Sequence, residues 1–350
     1  MKRTIPTQPG LPLSRRGMLK GLAAGTAGLI LNPLPMRETL AAPAKEVGRS
    51  TVSFVTGEDR REMMMQAMKP FEKDIKQGIK GKKVVIKPNF VVNDKPLSAT
   101  HPDAVRGVLD FLEPLYKEQV IIAESTLSRT GTSQGFRNYG YLGLPDEYNV
   151  KLVDYADDSY TRHWILDENK HPQPIEITDS YLDPDIYMIS LTRPKTHDTV
   201  VATLTLKNIV MGAPRCNPAG EGNQKGLMHK GQPVGLNYNM FLISQLTRPD
   251  FAILDGVEGM QGNGPVGGFP MPHGVAMAGT DCIAVDRIGL ESMGIPYEDV
   301  GYLQWCAKAG MGQGNRAMID VIGPDPKSHM KKYQLHDKIE WQLEWKKMEG

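Results

Sequence analysis

The segment "KKVVIKPNF", Lys82 to Phe90, decides how the chain folds. Val84, Val85 and Ile86 form an unbroken apolar run with no polar alternation. Strands of this kind are covered on both faces, as in parallel sheets. Upstream, "STVSFVT" (50–56) predicts a strand and the segment 58–77 a helix. Downstream, "HPDAVRGVLDFLEPLY" (101–116) sets Val105, Val108, Leu109 and Leu112 on one helical face, with Pro102 suited to the first turn. "QVIIAEST" (119–126) is the next strand. This β–α–β–α–β order predicts an α/β fold, a twisted and mostly parallel sheet with helices on both faces.

The rest of the chain continues the pattern with one interruption. "VKLVDY", "HWIL" and "PIEIT" (within 150–178) are short strands between polar turns and predict a small irregular or antiparallel insertion. "DIYMISLTRPKTH" (185–197) and "VVATLTLKN" (200–208) restore buried strands, and a helix follows around 236–246. "DFAILDGVEGMQGNGPVGG" (250–268) reads as a strand feeding a glycine-rich loop, and "HGVAMAGT" (273–280) as another strand. "DCIAVDRIGLESMG" (281–294) is a helix with Thr280 or Asp281 as N-cap, and "AMIDVIG" (317–323) the last strand. Residues 45–330 are thus expected to form a single α/β domain, and 331–350 a helical tail docked on it through Leu335, Ile339, Trp341 and Trp345.

The N-terminus is of a different character. "SRRGMLK" (14–20) has the twin arginines of a bacterial export signal, followed by the weakly apolar "GLAAGTAGLIL" and the small-residue stretch "LAAPA". The apolar run is too short and glycine-rich to span a bilayer. Residues 1–44 are read as a twin-arginine signal peptide, with cleavage expected after Ala44. The translocation machinery is then a partner, and the periplasm or exterior the destination.

Net charge is +1 for the 350 residues, but Lys2, Arg3, Arg15, Arg16, Lys20 and Arg37 face only Glu38 in the leader, so the remainder is mildly acidic. That balance argues against a nucleic-acid partner. Cys216, Cys282 and Cys306 form no C-x-x-C pair, so neither an iron–sulfur cluster nor a four-cysteine zinc site is expected.

Ligands of open parallel sheets gather at the carboxyl ends of strands. Lys87 and Asn89, Glu124, Lys195 and His197, Lys207 and Asn208, and Asp255 and Glu258 all fall at such ends in this reading. Lys87, Lys195 and Lys207 with Asn89 and Asn208 suit a carboxylate or phosphate, and a buried lysine could instead serve as a base. His197 and His229 suit proton transfer or metal ligation. Asp255 and Glu258 beside two histidines would suit a divalent cation, although no H-E-x-x-H spacing is present. The glycines from Gly256 to Gly268 lack the lysine of a phosphate loop and suggest close backbone approach to a ligand, with Glu258 at the base.

The stretches "IKPNF", "HPDAVRGVLDFL", "ESTLSRTG", "PKTHDTVVATLTLKNIVMG", "DGVEGMQGNGPVGG" and "GTDCIAVDRIGLESMG" together resemble the bacterial and archaeal family known as domain of unknown function 362. They occur in that family's order across roughly 51–325. The resemblance implies a single α/β domain and places Lys87, Asn89, Lys195, His197, Lys207, Asn208, Asp255, Glu258 and Asp281 on recurring polar positions. Many members of the family carry ferredoxin-like cysteine clusters. This chain departs from them, so an electron-transfer role does not carry over.

Two functions fit these residues. One is an exported enzyme acting on a small anionic substrate, with or without a metal, in which Lys195, His197, His229 and Glu258 are catalytic. In that scheme Lys87, Asn89, Glu124, Lys207 and Asn208 bind substrate, and Asp255 would hold a metal. The other is a non-catalytic periplasmic ligand-binding or cofactor-carrying protein using the same pocket.

Overall fold

Val84 and Ile86 point to one face of a large sheet and Val85 to the other, and each meets its own apolar cluster. The computed structural model describes residues 47–216 and 223–348, and Glu46–Gly350 form one compact unit. The leader lies outside the described residues.

Ten strands make the main sheet: β1 (Ser50–Thr56), β2 (Lys83–Lys87), β3 (Val120–Glu124), β4 (Val150–Asp154), β7 (Ile186–Thr192), β8 (Lys195–His197), β9 (Val201–Thr203), β10 (Phe251–Asn263), β11 (Gly267–Gly279) and β12 (Ile319–Ile322). Their order is β12-β1-β11-β10-β7-β2-β3-β4, with β8 paired to β10 and β9 to β8. The run β10-β7-β2-β3-β4 is parallel throughout, and antiparallel pairs occur at β1-β11, β10-β11 and β8-β9. The expected insertion is the separate antiparallel pair β5 (Tyr160–Leu166) and β6 (Pro172–Thr178).

One face is covered by helices Arg60–Met68, Glu72–Gly78 and Pro102–Leu112, whose Met63, Met64, Ile75, Val105 and Val108 pack with Val84, Ile86, Ile122 and Ile253. The other is covered by Thr205–Val210, Val234–Ser244, Cys282–Met293 and Gly301–Lys308, packed on Val85, Met188, Leu254 and Met277. Each fully buried aliphatic side chain here contributes roughly 1.5–3 kcal/mol.

The tail expected to be helical over 331–350 is helical, among the described residues, only in Ile339–Gln342 and the 3-10 segment Leu343–Met348, and the structure differs from the sequence expectation in three further places. The helix expected over 58–77 is interrupted at Pro70, where a 3-10 turn, Lys69–Phe71, replaces the helical hydrogen bond that proline cannot donate. The glycine-rich loop is largely strand, because β10 and β11 pair as a long hairpin out to Asn263 and Gly267. The strand expected over 200–208 stops at Thr203, and Lys207 and Asn208 lie on a helix instead. The cause is Asp286, whose buried carboxylate accepts from Thr205 N at 2.8 Å, Thr205 Oγ1 at 2.6 Å and Leu206 N at 3.0 Å. It satisfies helix-terminal donors that a Thr-Leu alternation cannot. Burial without a cation holds that carboxyl up at about 7.

Candidate functional site

The parallel register that sets Ile86 beside Ile122 brings the ends of β2 and β3 together. There Lys87 Nζ meets Glu124 Oε2 at 2.8 Å, with both side chains almost fully buried. Glu124 also accepts from Phe90 N at 2.9 Å and Ser125 N at 2.8 Å, so three donors fix its position. Asn208 joins the helix to the sheet. Its Oδ1 accepts from Lys87 Nζ at 2.8 Å and Asn89 Nδ2 at 3.0 Å, while its Nδ2 donates to Lys87 O and Ser190 Oγ. Asn89 Oδ1 in turn accepts from Lys195 Nζ, which also donates to Ser98 O at 2.7 Å. Lys195, Asn89, Asn208, Lys87 and Glu124 form one continuous buried network.

This network floors a cavity of about 390 Å³. Of the residues singled out in the sequence, Lys87, Asn89, Glu124, His197, Lys207, Asn208 and His229 line it together. Gly264, Pro265, Val266 and Gly267 at the β10–β11 tip form part of the wall. Gly264 has to be glycine, since a Cβ there would lie 2.2 Å from Thr196 O.

Three of the expected site residues do not line the cavity. Lys195 lies behind Asn89 and supports the floor. Glu258 pairs with Arg193 Nη1 at 3.1 Å, and its side chain is 41% exposed. Asp255 is buried against Arg60 Nε at 2.9 Å. Among the described residues no group of three or more His, Cys, Asp or Glu side chains is arranged to hold a metal ion, and the three thiols are buried and unbridged.

The sequence reading missed Lys225, Asp198 and His336, which also line the cavity. Lys225 lies on the short helix Gln224–Met228, and its Nζ donates to Ser125 O and to Ser125 Oγ at 3.2 Å. His336 is brought in by the C-terminal segment, which is clasped to the hairpin tip. Asn263 Nδ2 donates to Asp337 Oδ2 at 2.8 Å, Asp337 N to Asn263 Oδ1 at 3.1 Å, and Gly262 N to Gln334 O at 2.7 Å. Only the "GxxK" of 222–225 and a histidine in the tail were available as signals, and neither has a spacing rule behind it.

Electrostatics set the four buried lysines apart. Burial lowers Lys87 to about 8, with Glu124 opposing the shift and Lys225 adding to it. Burial and the neighbouring Arg193, Lys207 and Lys87 drive Lys195 well below its usual value. Lys207 is also lowered to about 8 by burial, against the pull of Asp198. Lys87, Lys195 and Lys225 all donate to protein groups, whereas Lys207 Nζ has no hydrogen-bond partner among the described residues. The imidazoles of His197 and His229 are neutral: burial and Lys207 push His197 well below its ordinary range and His229 down to about 4. Nδ1 of His197 accepts from Thr199 N at 3.0 Å, which leaves Nε2 as its protonated nitrogen. The cavity therefore offers a free buried amine, two further lysines with N–H groups to spare, and neutral imidazoles.

The chain is 26% identical over 216 residues to a thylakoid-associated protein of Synechocystis, a match covering 59% of this chain and 62% of that protein. A Thermotoga maritima crystal structure overlaps partially, at 10% identity and a TM-score of 0.33, over 59% of this chain and 52% of the other. Residues 84–291 match the family profile described as domain of unknown function (DUF362), a span that contains Lys87, Glu124, His197, Lys207, Lys225 and His229, and the chain belongs to that family.

Proposed function

We propose that this protein is an exported enzyme that binds a small anionic substrate in the Lys207 cavity. The observation that carries the reading is the unpartnered, buried amine of Lys207, set among lysines already engaged by the protein. A buried ammonium without a partner is costly, and an anion would relieve that cost. Because the amine titrates near 8, it can also give up or take a proton close to neutral pH. Lys87 and Lys225 add positive potential, and His197 and His229 are the proton carriers available in the wall. Export through the twin-arginine route to the periplasm rests on "SRRGMLK" in 1–44.

The test is calorimetric titration of the mature protein with phosphate and with small mono- and dicarboxylates, repeated on Lys207→Met. Binding that weakens at least about tenfold in the variant, equivalent to ~1.4 kcal/mol, is the expected result. Equal affinity in both proteins, or binding of no anion, would overturn the reading. For the address, Arg15→Lys with Arg16→Lys should abolish recovery from the periplasmic fraction.

A further inference from the structure

We infer that Lys207 forms a covalent imine with the carbonyl carbon of a 2-oxo carboxylic acid bound in this cavity. The inference rests on the anion-binding reading above and names the substrate class for it. Three features of the site support it.

The first is which lysine is free. Lys87 is committed to Glu124 and Asn208, Lys195 to Asn89 and Ser98, and Lys225 to Ser125. Lys207 is only 7% exposed, faces the cavity and makes no hydrogen bond to a described residue. An amine in that state has its lone pair available as soon as it loses a proton.

The second is that loss of the proton is favoured there. Burial is the largest influence on Lys207, and the charges of Lys87 and Lys225 act in the same direction. Roughly a tenth of the amine is neutral at pH 7, compared with well under a thousandth for an ordinary lysine. Desolvation beside another cation is a recognised way to make a lysine nucleophilic.

The third is the remainder of the cavity. Lys87 and Lys225 each use two of three ammonium N–H groups on protein acceptors, so each retains one for a carboxylate. Val91, Val92, Leu127 and Met211 provide apolar wall for the substituent of the acid.

The step balances without any further reagent. The neutral amine nitrogen attacks the carbonyl carbon, and the C=O π pair moves to oxygen, which takes a proton from nitrogen to give a carbinolamine. The C–O bond then breaks with a second proton relayed to the departing hydroxyl, for which His197 or His229 is the available carrier. One water leaves and the C=N bond remains, with no change of oxidation state.

The test uses the mature protein with pyruvate or phenylpyruvate and sodium cyanoborohydride, read by intact mass and peptide mapping. The expected product is one adduct per chain, heavier by the acid less one water plus two hydrogens, mapped to Lys207. Its rate of formation should rise as pH approaches 8. Lys207→Arg, which keeps the charge and loses the nucleophile, should give none. Labelling spread over exposed lysines, or equal in Lys207→Arg, overturns the inference. Calorimetric binding of pyruvate and lactate alike with no adduct also overturns it but leaves the anion reading standing, as does binding of phosphate alone. If no anion binds, both fall together.

Discussion

Gln342 spans the turn that carries His197: its Nε2 donates to His197 O at 2.8 Å, and its Oε1 accepts from Val201 N at 3.1 Å. The turn needs that support. Val201 is β-branched yet sits at φ 69°, a region such residues rarely occupy. Its backbone N–H is buried, and the ends of β8 and β9 around it are too short to hold the turn by themselves. A side chain from the far end of the sequence therefore fixes the position of a cavity imidazole.

Gln342→Ala should leave His197 O and Val201 N unpaired in the interior. Each such group costs about 1–3 kcal/mol, so a loss of about 2–6 kcal/mol in urea unfolding is expected, together with weaker anion binding. Gln342→Glu should restore the bond to Val201 N while setting a carboxylate against His197 O, and should not recover wild-type stability. If Gln342→Ala unfolds at the wild-type midpoint, the tail does not support the turn.

Gly212→Ala tests the packing beneath the site. A Cβ there would lie 2.5 Å from the Tyr181 hydroxyl, 2.8 Å from Lys87 Cε and 2.9 Å from Asn208 O. The Lys87 side chain must move, and with it the contact to Glu124. Overpacking of this kind costs about 1–3 kcal/mol. The variant should lose stability and anion affinity together, and unchanged affinity would show that Lys87 does not contribute to binding.

Lys207 predicts a pH dependence whose sign is fixed. Its folded value is about 8 and its reference value 10.5, so between those limits the unfolded chain binds more protons than the folded one. The contribution of Lys207 to stability therefore rises with pH across that window and is flat below it. Lys207→Met, which removes the buried charge, should be more stable than wild type at pH 7 by at most about 3 kcal/mol. That advantage should shrink steadily toward pH 10 in equilibrium unfolding. An advantage that does not change with pH would mean that Lys207 titrates normally in the fold.

Local pattern was enough to reveal most of the sheet and part of the cavity. The apolar run at Val84–Ile86 and the helical face of Val105, Val108 and Leu109 are set by neighbours in sequence, so periodicity reports them. Lys87, Glu124 and His197 could be read as strand ends because strands stop where polar side chains can reach solvent or a ligand. What could not be read depends on distant partners. The helix under Lys207 exists because Asp286 caps it, and Asp286 is 81 positions away. Glu258 and Asp255 looked like site carboxylates, but Arg193 and Arg60 neutralise them outside the cavity, and such pairing leaves no mark in either stretch. Lys225 and His336 carry no motif at all and become visible only once the hairpin tip and the C-terminal segment are in place.

The clasp between Asn263 and Asp337 also bears on what a clipped molecule would retain. The floor is made of residues from 87 to 208, but the rim waits for His336 and the turn for Gln342. A chain cut ahead of Gln334 would display an unfinished vessel, with one side missing and His197 unbraced. A molecule clipped within 334–342 would thus keep its parallel strands while one wall of the cavity stood open.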